Sequence, residues 1–210
     1  MDVHPPHEPI HSWRDFFIHL ATITIGLLIA LSLEGLVEWG HHRHLVHEAH
    51  DSIREEFKTN HDHVAYNLSS IREDEERIRA AIKLLVSLRS GKKIENGSLQ
   101  YTVSWSSFTD SAWRTAQSSG ALGLIDFKSA RDLSDVYAQQ ELVDATATRI
   151  YRNQPLALAP LFISGDPNRM SPVEIQTCLE RSADLLLDLQ GLQQLLTQLD
   201  VQYLEELKKM

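Results

Sequence analysis

Apolar residues are distributed very unevenly along the chain, and the most apolar part lies near the N-terminus. Residues 16–33 carry no formal charge over 18 positions, close to the roughly 20 apolar residues with which a helix crosses a bilayer. Trp13 precedes this segment and Trp39 follows it, as expected of the aromatic residues that mark both membrane interfaces. The pattern predicts a transmembrane anchor at residues 13–39, behind a polar tail at residues 1–12.

A signal peptide and a buried core helix can contain apolar segments as well. A signal peptide needs a basic start and a cleavage site flanked by small residues, whereas residues 1–12 contain no Lys or Arg and no such site follows the segment. A core helix of this length would be unusual in a chain of 210 residues. No second segment approaches this length, so we expect a single membrane pass.

One face of the predicted anchor carries small and polar residues four positions apart, namely Thr22, Gly26, Ala30 and Glu34. Gly26 and Ala30 form a small-xxx-small pair, which lets a second membrane helix approach closely. Glu34 can form a hydrogen bond across such an interface. The pattern predicts self-association through this face, although Gly and Ala are common in membrane helices of every kind.

Basic residues near the ends of a span favour the cytoplasmic side of the membrane. Arg14 is the one basic residue of the N-terminal flank of the apolar segment, whereas Arg43, Arg54 and Lys58 lie in its C-terminal flank. This small difference favours a cytoplasmic location for residues 40–210.

Beyond the anchor, apolar residues recur every three or four positions as far as Arg89, which is typical of an amphipathic helix. Charged residues, including Glu56, are assigned to its solvated face. No Pro lies between Pro9 and Pro155, so we expect this helix to continue from the anchor without a break. Gly91 is its predicted end.

The remaining sequence also has the spacing of helices. Residues 105–116 place Trp and Phe side chains at helical intervals, Asp126 is a predicted N-cap, and Ser171 followed by Glu174 predicts a capping box. Pro155 and the Ser-Gly-Asp-Pro run after it predict a kink and then a break. Loops are expected near residues 90–98, 119–126 and 164–171. The chain is therefore predicted to be all-α, with residues 40–210 forming a bundle of three or four helices.

The last predicted helix carries a heptad-like ladder of apolar residues, which is typical of a coiled-coil-like surface. Cys178 lies on this ladder, either as a small buried residue or as a contact between chains in a parallel dimer. The positions predicted to mediate interaction are Leu185, Leu189, Leu192, Leu196 and Leu199.

Charge and composition narrow the function. The formal net charge of −9 argues against a nucleic-acid partner, and a single Cys excludes an intrachain disulfide or a CxxC site. Phosphate-binding, dinucleotide-binding and nucleophile-elbow motifs are missing. The pairs Glu48 with Asp51 and Glu141 with Asp144 lack the His of a di-iron motif. We expect neither an enzyme nor a cofactor.

Histidine is abundant, with 11 residues that cluster just after the anchor. His44, His47 and Asp51 are spaced three and four apart, so one helix face presents them as weak candidates for a divalent metal. A collar of amphipathic side chains at headgroup depth is the simpler interpretation. A third interpretation is pH sensing, because clustered imidazoles titrate together near neutrality.

Three segments resemble a family of uncharacterised bacterial single-pass membrane proteins: WRDFFIHLATITIGLLIALSLEGLVEWGHHRH, DSAWRTAQSSGALGLID and VYAQQ. The resemblance covers about residues 1–155 and implies a bacterial inner-membrane location, with no catalytic residue or ligand to transfer. Its recurring pattern indicates a structural element formed by Trp113, Gln117, Gly120 and Leu122.

The function predicted from these features is a membrane-anchored helical interaction or scaffold module that forms homo-oligomers and has no catalytic activity. Its expected partners are the lipid bilayer and a second copy or another membrane protein. The alternative is a helical sensor of a ligand or of stress that signals through a partner protein.

Overall fold

The computed structural model describes residues 13–94, 99 and 104–210, so the polar tail and residues 95–98 of the first predicted loop lie outside the described residues. All regular secondary structure in the described residues is helical, which confirms the all-α prediction. The five α-helices are α1 (Trp13–Arg89), α2 (Ser111–Ser118), α3 (Phe127–Asn153), α4 (Ala159–Ser164) and α5 (Pro172–Lys209). The chain divides into two compact units, the first ending at Glu48 and the second beginning at Ala49.

The first unit contains the apolar part of α1. An 18-residue window of this helix has a mean hydropathy of 2.2, and none of the window is buried by the chain. Its hydroxyl groups bond to the helix itself, as Thr22 Oγ1 donates to the carbonyl oxygen of Ile18 and Ser32 Oγ to that of Leu28, at 2.9 and 2.7 Å. Such internal bonds suit a medium without water. By length and composition, this helix can cross a membrane.

The second unit packs α3 and α5 against the part of α1 that begins at Ala49. Along α1, Glu56 meets Tyr137 and Asn60 meets Gln140, so α3 runs parallel to α1. His61 meets Asp200 and Arg89 meets Gln176, so α5 runs antiparallel. These pairings place the three long helices around one core.

That core is built from the apolar positions of the three long helices. Its largest fully buried side chains are Phe57, Ile53, Ile71, Ile78, Leu85, Leu133, Ile150, Leu189, Leu192, Leu196, Leu199 and Tyr203. At one end, α4 and the 3₁₀ turn Gln154–Leu158 cover α5. The short helix α2 lies between the non-helical residues 104–110 and a second 3₁₀ turn, Ala121–Leu124.

Local signals predicted three helix ends correctly, namely the starts of α5 and α3 and the end of α1. Ser171 and Glu174 form the capping box of α5, with distances of 2.7 and 3.3 Å between side chains and backbone N–H groups. Asp126 caps α3 by accepting from the N–H of Ser129. Gly91 follows the last turn of α1 with φ near +80°, a conformation that favours glycine.

Two helix limits differ from the prediction or refine it. The helix predicted from the spacing of residues 105–116 is wrong in its first part, because α2 begins only at Ser111 and residues 104–110 are not helical. The kink predicted at Pro155 is a true end: α3 stops at Asn153, and a 3₁₀ turn containing Pro155 leads into α4. Proline lacks the N–H that an α-helix would need there.

Candidate functional site

Helix α1 carries a row of polar residues on the face that it buries in the bundle. Glu56, Asn60 and Asn67 are 7%, 0% and 0% exposed, and spacings of four and seven residues place them on one side of the helix. The assignment of Glu56 to the solvated face is therefore wrong. Buried polar groups need hydrogen-bond partners, and all three find them in residues 104–112. Residues 104–110 are called the clamped segment below.

Two asparagine side chains hold the backbone of the clamped segment. Asn67 Nδ2 donates to the carbonyl oxygen of Ser106 at 2.8 Å, and the N–H of Ser106 donates to Asn67 Oδ1 at 2.8 Å. Asn60 forms the same pair with Thr109, at 2.8 and 2.9 Å. Each amide satisfies both backbone groups of one residue, so these groups do not form the bonds of a helix.

Glu56 caps helix α2 from outside. One carboxylate oxygen accepts from the N–H of Ala112 at 2.8 Å and from the hydroxyl of Ser111 at 3.0 Å. The residue before α2, Asp110, forms no capping hydrogen bond of its own. A carboxylate at a helix N-terminus satisfies unpaired N–H groups and interacts favourably with the helix dipole. Glu56 therefore fixes where α2 begins.

Helix α3 holds the clamped segment from the other side. Asp144 accepts from Trp105 Nε1 at 3.1 Å and from the N–H of Phe108 at 3.4 Å. Gln140 Nε2 donates to the carbonyl oxygen of Thr109 at 3.1 Å. Burial raises the pKa of Asp144 above the ordinary aspartate value, although the two hydrogen bonds act in the opposite direction.

Aromatic rings join this polar network to the core. Phe57 lies between Tyr137 and Tyr203, with ring centroids 5.3 and 5.1 Å away. The Tyr137 hydroxyl donates to Glu56 and that of Tyr203 to Gln140, both at 2.6 Å. Burial raises the pKa of both phenols, so both hydroxyls remain donors at physiological pH.

A cleft of about 500 Å³ opens between α2 and α3, beside the clamped segment. Trp113 forms part of its wall and stacks on Tyr137, with centroids 4.8 Å apart and an angle of 18° between the rings. We call it the acidic cleft. Its lining residues are Phe108, Asp110, Trp113, Arg114, Gln117, Ser134, Tyr137, Ala138, Gln140, Glu141 and Asp144.

The charges lining the acidic cleft are unbalanced. Arg114 bonds to Asp110 through Nε and Nη2, at 2.8 and 2.7 Å from the same oxygen. Glu141 and Asp144 form no ion pair with any described residue. The cleft therefore has an excess of negative charge beside a stacked aromatic pair.

A second, water-sized cavity of about 10 Å³ lies between α1, α3 and α5. It is lined by Asp74, whose Oδ1 accepts from Arg77 at 2.8 Å, and by Tyr151. Asp74 Oδ2 and the Tyr151 hydroxyl have no hydrogen-bond partner among the described residues. Burial raises the pKa of both groups.

The predicted association face of the anchor is open in the single chain. Thr22, Gly26, Ala30 and Glu34 are all exposed, and nothing lies within 4 Å of a Cβ built on Gly26. A second helix therefore meets no obstruction from this chain at Gly26.

The leucine ladder of α5 is used inside the chain. Leu192, Leu196 and Leu199 are 0% exposed, and Leu185 and Leu189 are also buried. Contact with another chain through these side chains would require the bundle to open. Cys178 is buried in the same core, and burial raises the pKa of its thiol.

The histidine cluster forms side-chain pairs on α1. His44 Nε2 lies 3.1 Å from a Glu48 oxygen, and His42 Nε2 lies 3.8 Å from Glu38. His47 and Asp51 each have an interaction partner. Over residues 13–94, 99 and 104–210, no three His, Cys, Asp or Glu side chains come together so that they could hold a metal ion.

Sequence reasoning found part of the acidic cleft and missed the residues that support it. Trp113 and Gln117, predicted as a structural element, line the cleft, and Gly120 lies two residues after α2 with φ near +79°. Leu122 lies in the 3₁₀ turn that follows. Periodicity alone misses Asn60 and Asn67, although both lie within the apolar spacing of α1, and buried asparagine there signals a polar contact.

No family model, curated protein or solved structure matches this chain.

Proposed function

We propose that this protein is a single-pass, membrane-anchored helical interaction module, located in a bacterial inner membrane and self-associating through its anchor. The observation that carries the proposal is the 18-residue apolar window of α1, which the chain leaves completely uncovered. Roughly 25 cal/mol per Å² is lost for apolar surface left in water, so a bilayer or another helix must cover this segment.

The second unit supports a binding role rather than a chemical one. Several of its buried polar groups hold the clamped segment and α2, among them Glu56, Asn60 and Asn67. A rigid bundle that fixes a short surface helix is suited to presenting that helix to a partner. The partner in this proposal is a second copy of the chain or another membrane protein.

Membrane insertion is tested by expressing the full chain in a bacterium and washing membranes with alkaline carbonate. We expect the wild-type chain to stay in the membrane pellet. A variant with Ile25→Lys and Leu28→Lys should move to the supernatant, because each central charge costs about 2.5–3.5 kcal/mol. Release of the wild-type chain would contradict the proposal. A reporter fused after Met210 tests the expected cytoplasmic side.

Self-association is tested with a bacterial membrane two-hybrid assay. We expect Gly26→Leu with Ala30→Leu to abolish the signal, because bulky side chains prevent close helix approach. The matched control is Ala21→Leu with Ser32→Leu, which makes the same kind of change on the opposite side of the helix. Loss of signal in both variants, or in neither, would exclude this face as the interface.

A second candidate function is a ligand sensor, and the acidic cleft is the observation that favours it. At about 500 Å³, the cleft lies within the roughly 300–1,000 Å³ typical of small-molecule sites. Because α2 forms one wall, a ligand in the cleft changes the contacts of a surface helix that a partner can touch. The sensor is tested by measuring the membrane two-hybrid signal of the full chain with and without an added ligand, and a sensor should give a signal that depends on the ligand.

A further inference from the structure

We propose that the acidic cleft binds a small organic ammonium ion, held by the carboxylates of Glu141 and Asp144 and by the ring of Trp113. This inference rests on the sensor candidate above and names its ligand class. It does not depend on membrane insertion or on self-association.

The charges in the cleft favour a cation. Three carboxylates line it, and the one arginine in the lining is bonded to Asp110. The hydrogen bonds that Asp144 accepts come from Trp105 and the Phe108 backbone, which are neutral donors. His63 on α1 lowers the pKa of Asp144 electrostatically. Its Nδ1 is bonded to the carbonyl oxygen of Ser107, and His63 is not among the residues that line the cleft. A bound ammonium supplies the positive charge that the lining lacks.

The hydrogen-bonding chemistry favours N–H donors on the ligand. Ionised carboxylates only accept hydrogen bonds, whereas an ammonium group only donates them. Glu141 forms no side-chain hydrogen bond to a described residue, and its side chain is exposed at the cleft. An anion would face repulsion from Glu141 and Asp144, so the cleft discriminates by charge.

The aromatic wall is pre-organised for the apolar body of such a ligand. Tyr137 is fixed by its 2.6 Å hydrogen bond to Glu56 and by its stack with Trp113. Tyr137 is buried between Phe57 and Trp113, so the ring available to a ligand is that of the half-buried Trp113. Aromatic ring faces carry partial negative charge and attract organic cations. A rigid site loses less entropy when it binds a ligand than a flexible site does.

A single metal ion is a poorer occupant. The cleft is far larger than one ion, and no three potential metal ligands converge in the part of the chain that the structure describes. An organic cation fills more of this volume and uses the Trp113 ring as well as the carboxylates.

The test uses the full-length chain in neutral detergent micelles and isothermal titration calorimetry. The probes are phenethylamine, which is a cation at neutral pH, the uncharged 2-phenylethanol and the anionic phenylacetate. We expect saturable binding of phenethylamine. The other two should bind about tenfold more weakly or worse, since they lose a charge-assisted hydrogen bond.

Two variants separate the cleft from binding elsewhere. Glu141→Gln should weaken phenethylamine binding by about tenfold, as one charged contact is lost, without affecting the fold, because Glu141 is exposed. The matched control is Glu76→Gln on the exposed side of α1, outside the cleft lining, which should bind as the wild type does. Trp113→Phe keeps an aromatic ring, and any change in tryptophan fluorescence that accompanies phenethylamine binding should be smaller in this variant than in the wild type.

Equal binding of the three probes, absence of saturable heat with phenethylamine, or wild-type affinity in Glu141→Gln would each overturn the inference. Asp144→Asn tests the second carboxylate of the cleft in the same way as Glu141→Gln, and it keeps an acceptor for Trp105. The outcomes are independent of the anchoring proposal, because carbonate extraction and the two-hybrid comparison of the anchor variants are read without ligand.

Discussion

Replacing Asn67 by alanine tests whether the clamp determines the structure beside the acidic cleft. Asn67 is fully buried and forms two hydrogen bonds of 2.8 Å with the backbone of Ser106. Alanine removes both bonds and leaves the N–H and carbonyl groups of Ser106 without partners. Ser106 is half-buried, so water can compensate these groups only in part.

The expected loss of stability follows from these two bonds. Each hydrogen bond contributes about 1 kcal/mol net, and an unsatisfied buried group costs about 1–3 kcal/mol more. Allowing for partial hydration of Ser106, we expect Asn67→Ala to lower the free energy of unfolding by about 3 kcal/mol. For a domain of this size, that corresponds to a Tm lower by about 6–12 °C.

A second substitution makes the test specific to hydrogen-bond geometry. Asn67→Asp keeps an acceptor for the N–H of Ser106 but places a carboxylate oxygen against its carbonyl oxygen. We therefore expect it to destabilise at least as much as alanine at pH 7. Protonation restores a donor, so the pKa of the introduced carboxyl should be raised, and stability should recover as pH falls through that pKa.

The assay is thermal unfolding of the full chain in neutral detergent micelles, followed by near-ultraviolet circular dichroism, which reports packing around Trp105 and Trp113. The matched control is Asn153→Ala at the exposed end of α3, where the asparagine side chain has no hydrogen bond to a described residue. If Asn67→Ala and Asn153→Ala unfold at the same temperature, or Asn67→Asp is as stable as the wild type at pH 7, the clamp does not contribute as argued.

Four further predictions concern other parts of the bundle. Asp74→Asn should raise stability at pH 7, because burial disfavours the charged carboxylate more than its bond to Arg77 favours it; urea unfolding at several pH values checks this. Since burial raises the pKa of Asp74 above 3.8, wild-type stability should fall as pH rises through that raised pKa, and the gain should vanish below the ordinary value. Glu56→Gln should destabilise by about 1–2 kcal/mol, as α2 loses a charged cap, measured by the same unfolding assay. Leu192→Ala should cost about 2–5 kcal/mol through the cavity it leaves, whereas Leu187→Ala on the exposed side should cost little. Cys178 should react with iodoacetamide only after denaturant is added, because the thiol is buried, and labelling of the folded chain would contradict its placement.

Periodic and local features of this chain could be predicted from the sequence. The capping box at Ser171, the cap at Asp126 and the end at Gly91 depend on residues within one turn of each other. The apolar spacing of α1 and α5 likewise follows from the helix repeat. These signals predicted the all-α fold and the order of its long helices.

The clamped segment could not be predicted in this way. Its residues have helical spacing, yet Asn67 binds Ser106 from 39 positions away, and Asn60 binds Thr109 from 49 positions away. A long-range amide that satisfies both backbone groups of a residue competes with the helix for those groups. Single-sequence periodicity contains no information on such a partner.

The sequence by itself determined that one apolar segment is long enough to cross a membrane, that the rest is mainly helical, and where α1 ends and α3 and α5 begin. Only the tertiary structure decided that the leucine ladder of α5 packs within its own chain, that Glu56 is buried as the cap of α2, and that Glu141 and Asp144 meet Trp113 across one cleft. The physical reason is that helix formation depends on neighbours within one or two turns, whereas a cleft depends on which helix faces pack together.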